Sequence, residues 1–235
     1  MRVDALVSDL ATVRQSMVPV LNPRDMESAP RGAVGVVFSF DDGTIDHLQV
    51  VLPVLCDWGI PGLFYVPTGR LNQTGYLSRG MVQELYRAGH TVGSHGHSHG
   101  RLDLMSCDAI RAELNQSREI LHDIAGEYPQ HFAPPGGLFS PLVQVAAQQA
   151  GFTFFRTMQW GCNRRFDPMW IEAIPMTNGL TRNVLPSVLR RRGEWLLKAA
   201  YRGKEGLQAV TAAGRLGRTW LATRLAGPPA GPGSA

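Results

Sequence analysis

Short apolar runs closed by Gly, Pro or Asp alternate along this chain with segments of helical period, and this alternation limits the fold more than any other feature. "AVGVVFSF", residues 33–40, is a β-branched and aromatic run that ends at Phe40 before the turn residues Asp41-Asp42-Gly43. In "HLQVVLPVLCDW", residues 47–58, Leu48, Val51, Leu52 and Leu55 recur at helical intervals, and "GIPGLFYVPTG" reads as the next strand. The order repeats with "SRGMVQELYRAG" as a helix behind a Ser cap, "HTVGSH" as a strand and "SCDAIRAELNQSREILHDIAG" as a long helix. "HFAPPGG", "SPLVQVAAQQAG" and "FTFFRTM" then supply strand, helix and strand. Strands alternating with helices imply a mostly parallel sheet, either a barrel or a doubly wound sheet, and 235 residues suffice for one substantial core.

In both architectures the active site gathers at the C-terminal ends of strands. Three polar clusters fall at such ends: Asp41-Asp42, the run His95 to His99, and Pro134 to Gly137. Zinc and similar ions take imidazole and carboxylate ligands, and a hydrolytic site uses three protein ligands with a position left open. Two histidines and an aspartate from these clusters would supply that set, with Gly96 and Gly100 leaving room for the bend. A histidine-rich surface loop and an Asp-Asp-Gly turn are the plainer readings of the same residues. Two other histidine patterns do not fit. H-x-H-x-D-H fails because Ser98, His99 and Gly100 follow His97, and an H-x-H on a first barrel strand fails because this one lies in the middle of the chain.

Composition bounds the remaining classes. At 44% hydrophobic and 18% charged residues, with no apolar run near the roughly 20 residues a membrane helix needs, the chain reads as globular and not membrane-spanning. Asp4 and Asp9 interrupt the N-terminal segment where a secretory leader is apolar, so the expected location is the cytoplasm, including the inner face of the membrane. Cys56, Cys107 and Cys162 are odd in number and widely spaced, which predicts reduced, mostly buried thiols and neither a disulfide framework nor a cysteine zinc site. Residues 182–235 carry 10 Lys+Arg against 2 Asp+Glu, so the C-terminal arm is the basic part. No nucleic-acid motif accompanies that charge, and nucleic acid is not an expected partner. With Trp195, Leu196, Leu197 and Trp220 on apolar faces, the arm could instead pack on the barrel or make peripheral contact with an anionic membrane.

Taken together, "SFDDG", "GSHGHSHGRL" and "FAPPGG" resemble the polysaccharide deacetylase family, the NodB-homology, metal-dependent carbohydrate esterases, with order and spacing matching from about Val34 to Ile174. The resemblance implies an α/β fold, a distorted (β/α) barrel with mostly parallel strands. The expected organisation is an N-terminal extension packing on the barrel over 1–32, the deacetylase domain over 33–181, a basic helical segment over 182–224 and a disordered tail over 225–235. It implies a hydrolase that removes an acetyl group, N-acetyl before O-acetyl, from a sugar or polysaccharide precursor, with an N-acetylated sugar or glycan as partner. Carried over residue by residue, Asp41 is the general base, and Asp42, His95 and His99 are the ligands of a divalent metal, Zn2+ ahead of Co2+ or Ni2+. The oxyanion donor falls on the Gly136 N–H, and His97 is a solvated or supporting side chain. Two departures stand out. Ala133 occupies the place where the family commonly has an Arg that orients the base, a change shared by a subgroup with "FAYPYG"-like motifs. No histidine follows His131 to serve as the usual late acid. The alternative these departures raise is a catalytically degenerate metal- and carbohydrate-binding protein of the same fold.

Overall fold

The computed structural model describes residues 2–26, 28, 34–176, 179–190, 195, 197–199 and 201–202. Helix α1 (Val3–Gln15) precedes six strands, β1 (Phe38–Phe40), β2 (Gly62–Val66), β3 (Thr91–Ser94), β4 (His131–Phe132), β5 (Phe154–Trp160) and β6 (Ile171–Ala173). Between and after them run α2 (Leu52–Trp58), α3 (Arg79–Arg87), α4 (Cys107–Ala125), α5 (Pro141–Gln149) and α6 (Gly179–Leu189). The strands form one sheet in the order 1-2-3-4-5-6, and every adjacent pair is parallel. A doubly wound sheet requires a reversal of strand order. Here each crossover steps to the next strand in one direction, so the sheet curls as a (β/α) barrel does.

Local chemistry accounts for the elements. Ser78 and Ser106 cap α3 and α4 by accepting the N–H groups of Met81 and Ala109 at 3.2 and 3.3 Å, and Gly126 ends α4 in the left-handed region at φ 80°. The periodic segment 47–58 is not one regular helix. His47–Val51 forms a wider π turn, closed by the Leu52 N–H on the His47 carbonyl, before α2 begins. Pro53 has no N–H to return to the Gln49 carbonyl, and the wider turn accommodates that gap. The run 33–40 yields only three strand residues, because Val36 pairs with the N-terminal segment, donating to Pro19 O at 2.9 Å and accepting from Leu21 at 2.8 Å.

One apolar core joins Leu6 and Leu10 of α1 to Phe40, Phe64, Val82 and Leu121. A second lies between α4, α5 and the strands β4 and β5, around Leu114, Phe132 and Phe155. Trp160, at the end of β5, packs against Val184, Val188 and Leu197, so this part of the basic segment lies on the barrel, while Trp195 is exposed. Leu196 and Trp220 of the arm, and the tail 225–235, lie outside the described residues. None of the described helices is long and apolar enough to cross a membrane. The expectation of buried cysteines is corrected. Cys56 and Cys107 are exposed and Cys162 is half-buried, because Cys56 lies on the outer face of α2 next to core Leu55 and Cys107 opens α4.

His131 makes the fold sensitive to acid. Its ring stacks on Phe154 at 4.5 Å, its Nε2–H donates to Pro23 O at 3.2 Å, and among the described residues its buried Nδ1 has no partner. Burial pushes its pKa down to about 4 from 6.5. The unfolded chain therefore binds a proton below pH 6.5 that the native fold refuses until about pH 4, so stability is full above 6.5 and is lost as pH falls through that window. The expected loss is about 3 kcal/mol. His47 and His90, also lowered by burial, add to it in the same sense. Denaturant unfolding between pH 7 and 4 should show a steeper decline for wild type than for His131→Gln; equal slopes would remove His131 from this account.

Candidate active site

Four strands deliver polar groups to one mouth. Asp41 and Asp42 follow β1, His95 follows β3, Ala133 to Gly137 follow β4, and Arg156 projects from within β5. The turns are tight: Asp42, Gly43, Gly96, His99, Gly136 and Gly137 all have φ between 59 and 76°. For Asp42 and His99, which are not glycines, that conformation is uncommon and costs free energy, a pattern that clusters at functional sites. Gly137 admits no side chain, since an added Cβ would lie 2.1 Å from Met158.

Asp42, His95 and His99 each offer one donor atom, and the three atoms lie within 4.8 Å of one another. His99 Nε2 is 2.9 Å and His95 Nε2 3.5 Å from Asp42 Oδ1. The buried His95 ring is held from behind, its Nδ1–H donating to Ala133 O at 2.7 Å. That bond fixes the ring with Nε2 directed at Asp42, the arrangement that orients a metal-ligating imidazole. The Asp42 carboxyl is held well below the usual carboxylate range by His95 and then by His99, against the opposing effect of partial burial. One carboxylate and two converging imidazoles, with the first ring's tautomer set, fit a divalent ion with open positions for water and substrate. The middle histidine is elsewhere: His97 Nδ1 and Thr68 Oγ1 share a hydrogen bond at 3.0 Å, on the side of the turn after β2.

Asp41 points to a different partner. Both of its carboxylate oxygens accept from Arg156 Nη2 at 2.5 Å. Arg156 is buried, its guanidinium lies 4.9 Å over the Tyr65 ring, and its Nη1 contacts Met158 Sδ at 2.6 Å. The arginine that faces Asp41 thus comes from the neighbouring strand β5, while Ala133 contributes its carbonyl to His95. The sequence did carry a signal: in "FTFFRTM" an arginine interrupts an otherwise buried strand, and a buried guanidinium requires an anionic partner. Gly136 is exposed in the turn that follows β4. Nearby, Leu77 N and Ile45 N bond Gly43 O and Gly75 O at 2.9 Å, docking the loop 70–78 against the Asp-Asp-Gly turn, where Arg70 donates to Tyr76 Oη at 2.7 Å.

Comparison with known proteins decides the family. A family model described as polysaccharide deacetylase matches residues 29–155, more than half of the chain. The chain belongs to the polysaccharide deacetylase family. Among curated relatives of this deacetylase-family chain, a peptidoglycan-N-acetylglucosamine deacetylase from Bacillus cereus is 26% identical over 161 residues, covering 68% of this chain and 55% of that protein. Chitin deacetylase 1 from Cryptococcus neoformans is 32% identical over 116 residues, 49% of this chain and 24% of the relative. The chain therefore spans about half or less of the length of these curated relatives. Among solved structures, IcaB from Ammonifex degensii aligns with a TM-score of 0.70 at 21% identity, covering 81% of this chain and 88% of the other. The Streptococcus pyogenes deacetylase PplD in complex with acetate aligns at 0.67 and 20% identity, covering 77% and 84%. These two likenesses support the deacetylase-family barrel as the fold.

Proposed function

We propose that this chain is a metal-dependent hydrolase that removes the N-acetyl group of a sugar or polysaccharide, releasing acetate and a free amine. The observation that carries the reading is the convergence of Asp42, His95 and His99 beside an Asp41 that is held separately by Arg156. The ligands would be those three residues and the ion zinc. Such an ion, when bound, supplies positive charge that activates water and polarises the acetyl carbonyl. Asp41 accepts the proton of the attacking water, and its fixed pairing with Arg156 keeps the carboxylate aimed and distinct from the ligand carboxylate of Asp42. The Gly136 N–H, preset by its turn, donates to the oxygen on which negative charge develops; a fixed dipole needs no reorganisation during reaction.

The relatives' names, peptidoglycan and chitin deacetylases, favour an N-acetylglucosamine-containing glycan as substrate. The degenerate-site alternative rests on Ala133 and on the absent late histidine; the Arg156 contact with Asp41 bears on the first of these and supports the hydrolase reading.

The deciding experiment combines elemental analysis with acetate release from N-acetylglucosamine oligomers. Wild type should hold one zinc per chain and release acetate; His99→Ala should lose the zinc, and His97→Ala should keep it, because His97 is turned to Thr68. Zinc retained in His99→Ala, or lost in His97→Ala, would refute the ligand assignment. Bound zinc with no acetate from any oligomer would favour the binding-protein reading.

A further inference from the structure

His95 and His99 are placed by different means. His95 is anchored at the sheet edge, its N–H donating to Val66 O at 3.0 Å and its ring to Ala133 O at 2.7 Å. His99 hangs at the end of a loop that passes through Gly96 at φ 75° and is itself at φ 62°; among the described residues its ring has only Asp42 as a hydrogen-bond partner. Its position is therefore no better defined than residues 96–98.

That loop is gripped from two sides. From the turn after β2, Thr68 N–H and Gly69 N–H donate to Gly96 O and His97 O at 3.1 and 2.8 Å. From α4, one carboxylate oxygen of Glu113 accepts the consecutive N–H groups of His97 at 2.9 Å and Ser98 at 2.8 Å. Successive N–H groups after a left-handed residue form a concavity that suits an anion, and charge-assisted bonds of this type are about twice as strong as neutral ones. One helical turn further, Ser117 continues the grip. The Gly96 N–H donates to Ser94 Oγ at 3.1 Å, Ser94 Oγ lies 2.7 Å from Ser117 Oγ, and Ser117 Oγ donates to Leu114 O at 3.0 Å. Glu113 and Ser117 are four residues apart and so present one face to the loop.

We infer that Glu113 is a positioning residue for the metal centre, holding the strained 96–99 loop in the one shape that brings His99 to Asp42 and His95. The inference rests on the proposed metal reading of those three residues. Among the described residues Glu113 bonds the backbone of His97 and Ser98, not the candidate ligand side chains; it acts through the backbone, so its removal should be read in metal affinity before anything else.

The test measures zinc affinity by chelator competition, well below each variant's melting temperature. The proteins are wild type, Glu113→Ala, Glu113→Gln, His95→Ala, and Ile110→Val as a control that perturbs α4 through its apolar face. Glu113→Ala should weaken zinc about 10–100-fold, the range for supporting partners of metal ligands. Glu113→Gln, which keeps an acceptor without the charge, should fall between it and wild type. Ile110→Val should lower the melting temperature with zinc affinity within about twofold of wild type. Glu113→Ala binding zinc like wild type, or Ile110→Val weakening it equally, would overturn the inference while leaving the metal reading intact. Wild type binding no more zinc than His95→Ala would overturn both. If Glu113→Ala does not fold, Glu113→Gln against wild type decides in the same way.

Discussion

Asp41→Asn should lower acetate release by about 10²- to 10⁴-fold, the usual contribution of a positioned general base, while the chain retains one zinc. The separation follows from the geometry. Asp42, not Asp41, belongs to the three converging donors, and Asp41 is turned to Arg156. The substitution leaves a buried guanidinium facing a neutral amide, so stability should also fall, by roughly 1–3 kcal/mol. Elemental analysis, turnover and thermal melting on one preparation check all three. Loss of zinc in Asp41→Asn would show that the two aspartates had been assigned the wrong way round. Full zinc with unchanged turnover would remove Asp41 as base.

Arg156→Met should reduce turnover by about 10- to 100-fold with KM changed by less than about twofold. Arg156 lies behind Asp41, and orientation of a catalytic group contributes to the chemical step without contributing to substrate binding. Methionine fills a similar apolar volume over Tyr65, which separates loss of the ion pair from loss of packing. Arg156→Lys should recover part of the turnover: it restores charge near Asp41 but not the planar group that reaches both carboxylate oxygens and covers the ring. A KM rise with unchanged kcat in Arg156→Met would place Arg156 in substrate binding instead. Equal turnover in the Lys and Met variants would mean that charge at this position does not matter.

The three candidate metal donors were legible in the sequence because the information is local. "FDDG" and "SHGHSH" each follow a strand-like run, and their side chains are chemically suited to a divalent ion. Which of the three histidines turns away was not legible from spacing alone; it depends on Thr68, from the turn after another strand. Arg156 carried a weaker signal, a charge inside a buried strand, but its partner is 115 residues away. Glu113 carried none, since one acidic residue on a long polar-faced helix looks like any other. The cysteines failed for a related reason: residue type predicts burial on average, whereas the face of α2 on which Cys56 lies is set by which neighbours, Leu55 among them, reach the core.

By itself, then, the sequence determined the succession of strands and helices from β1 to β5, and it narrowed the candidate metal donors to two motifs. Periodicity, capping and turn residues act over a few positions, and ligand chemistry belongs to side chains. Only the tertiary structure decided that the strands follow one another in a single direction around a curled sheet, that their C-terminal loops meet, that an arginine of β5 faces Asp41, and that α4 bonds the histidine loop. Those are outcomes of packing between residues far apart in the chain, where burial requires a buried charge to find a partner and strained loops to be held, without any local pattern that names which residue will do it.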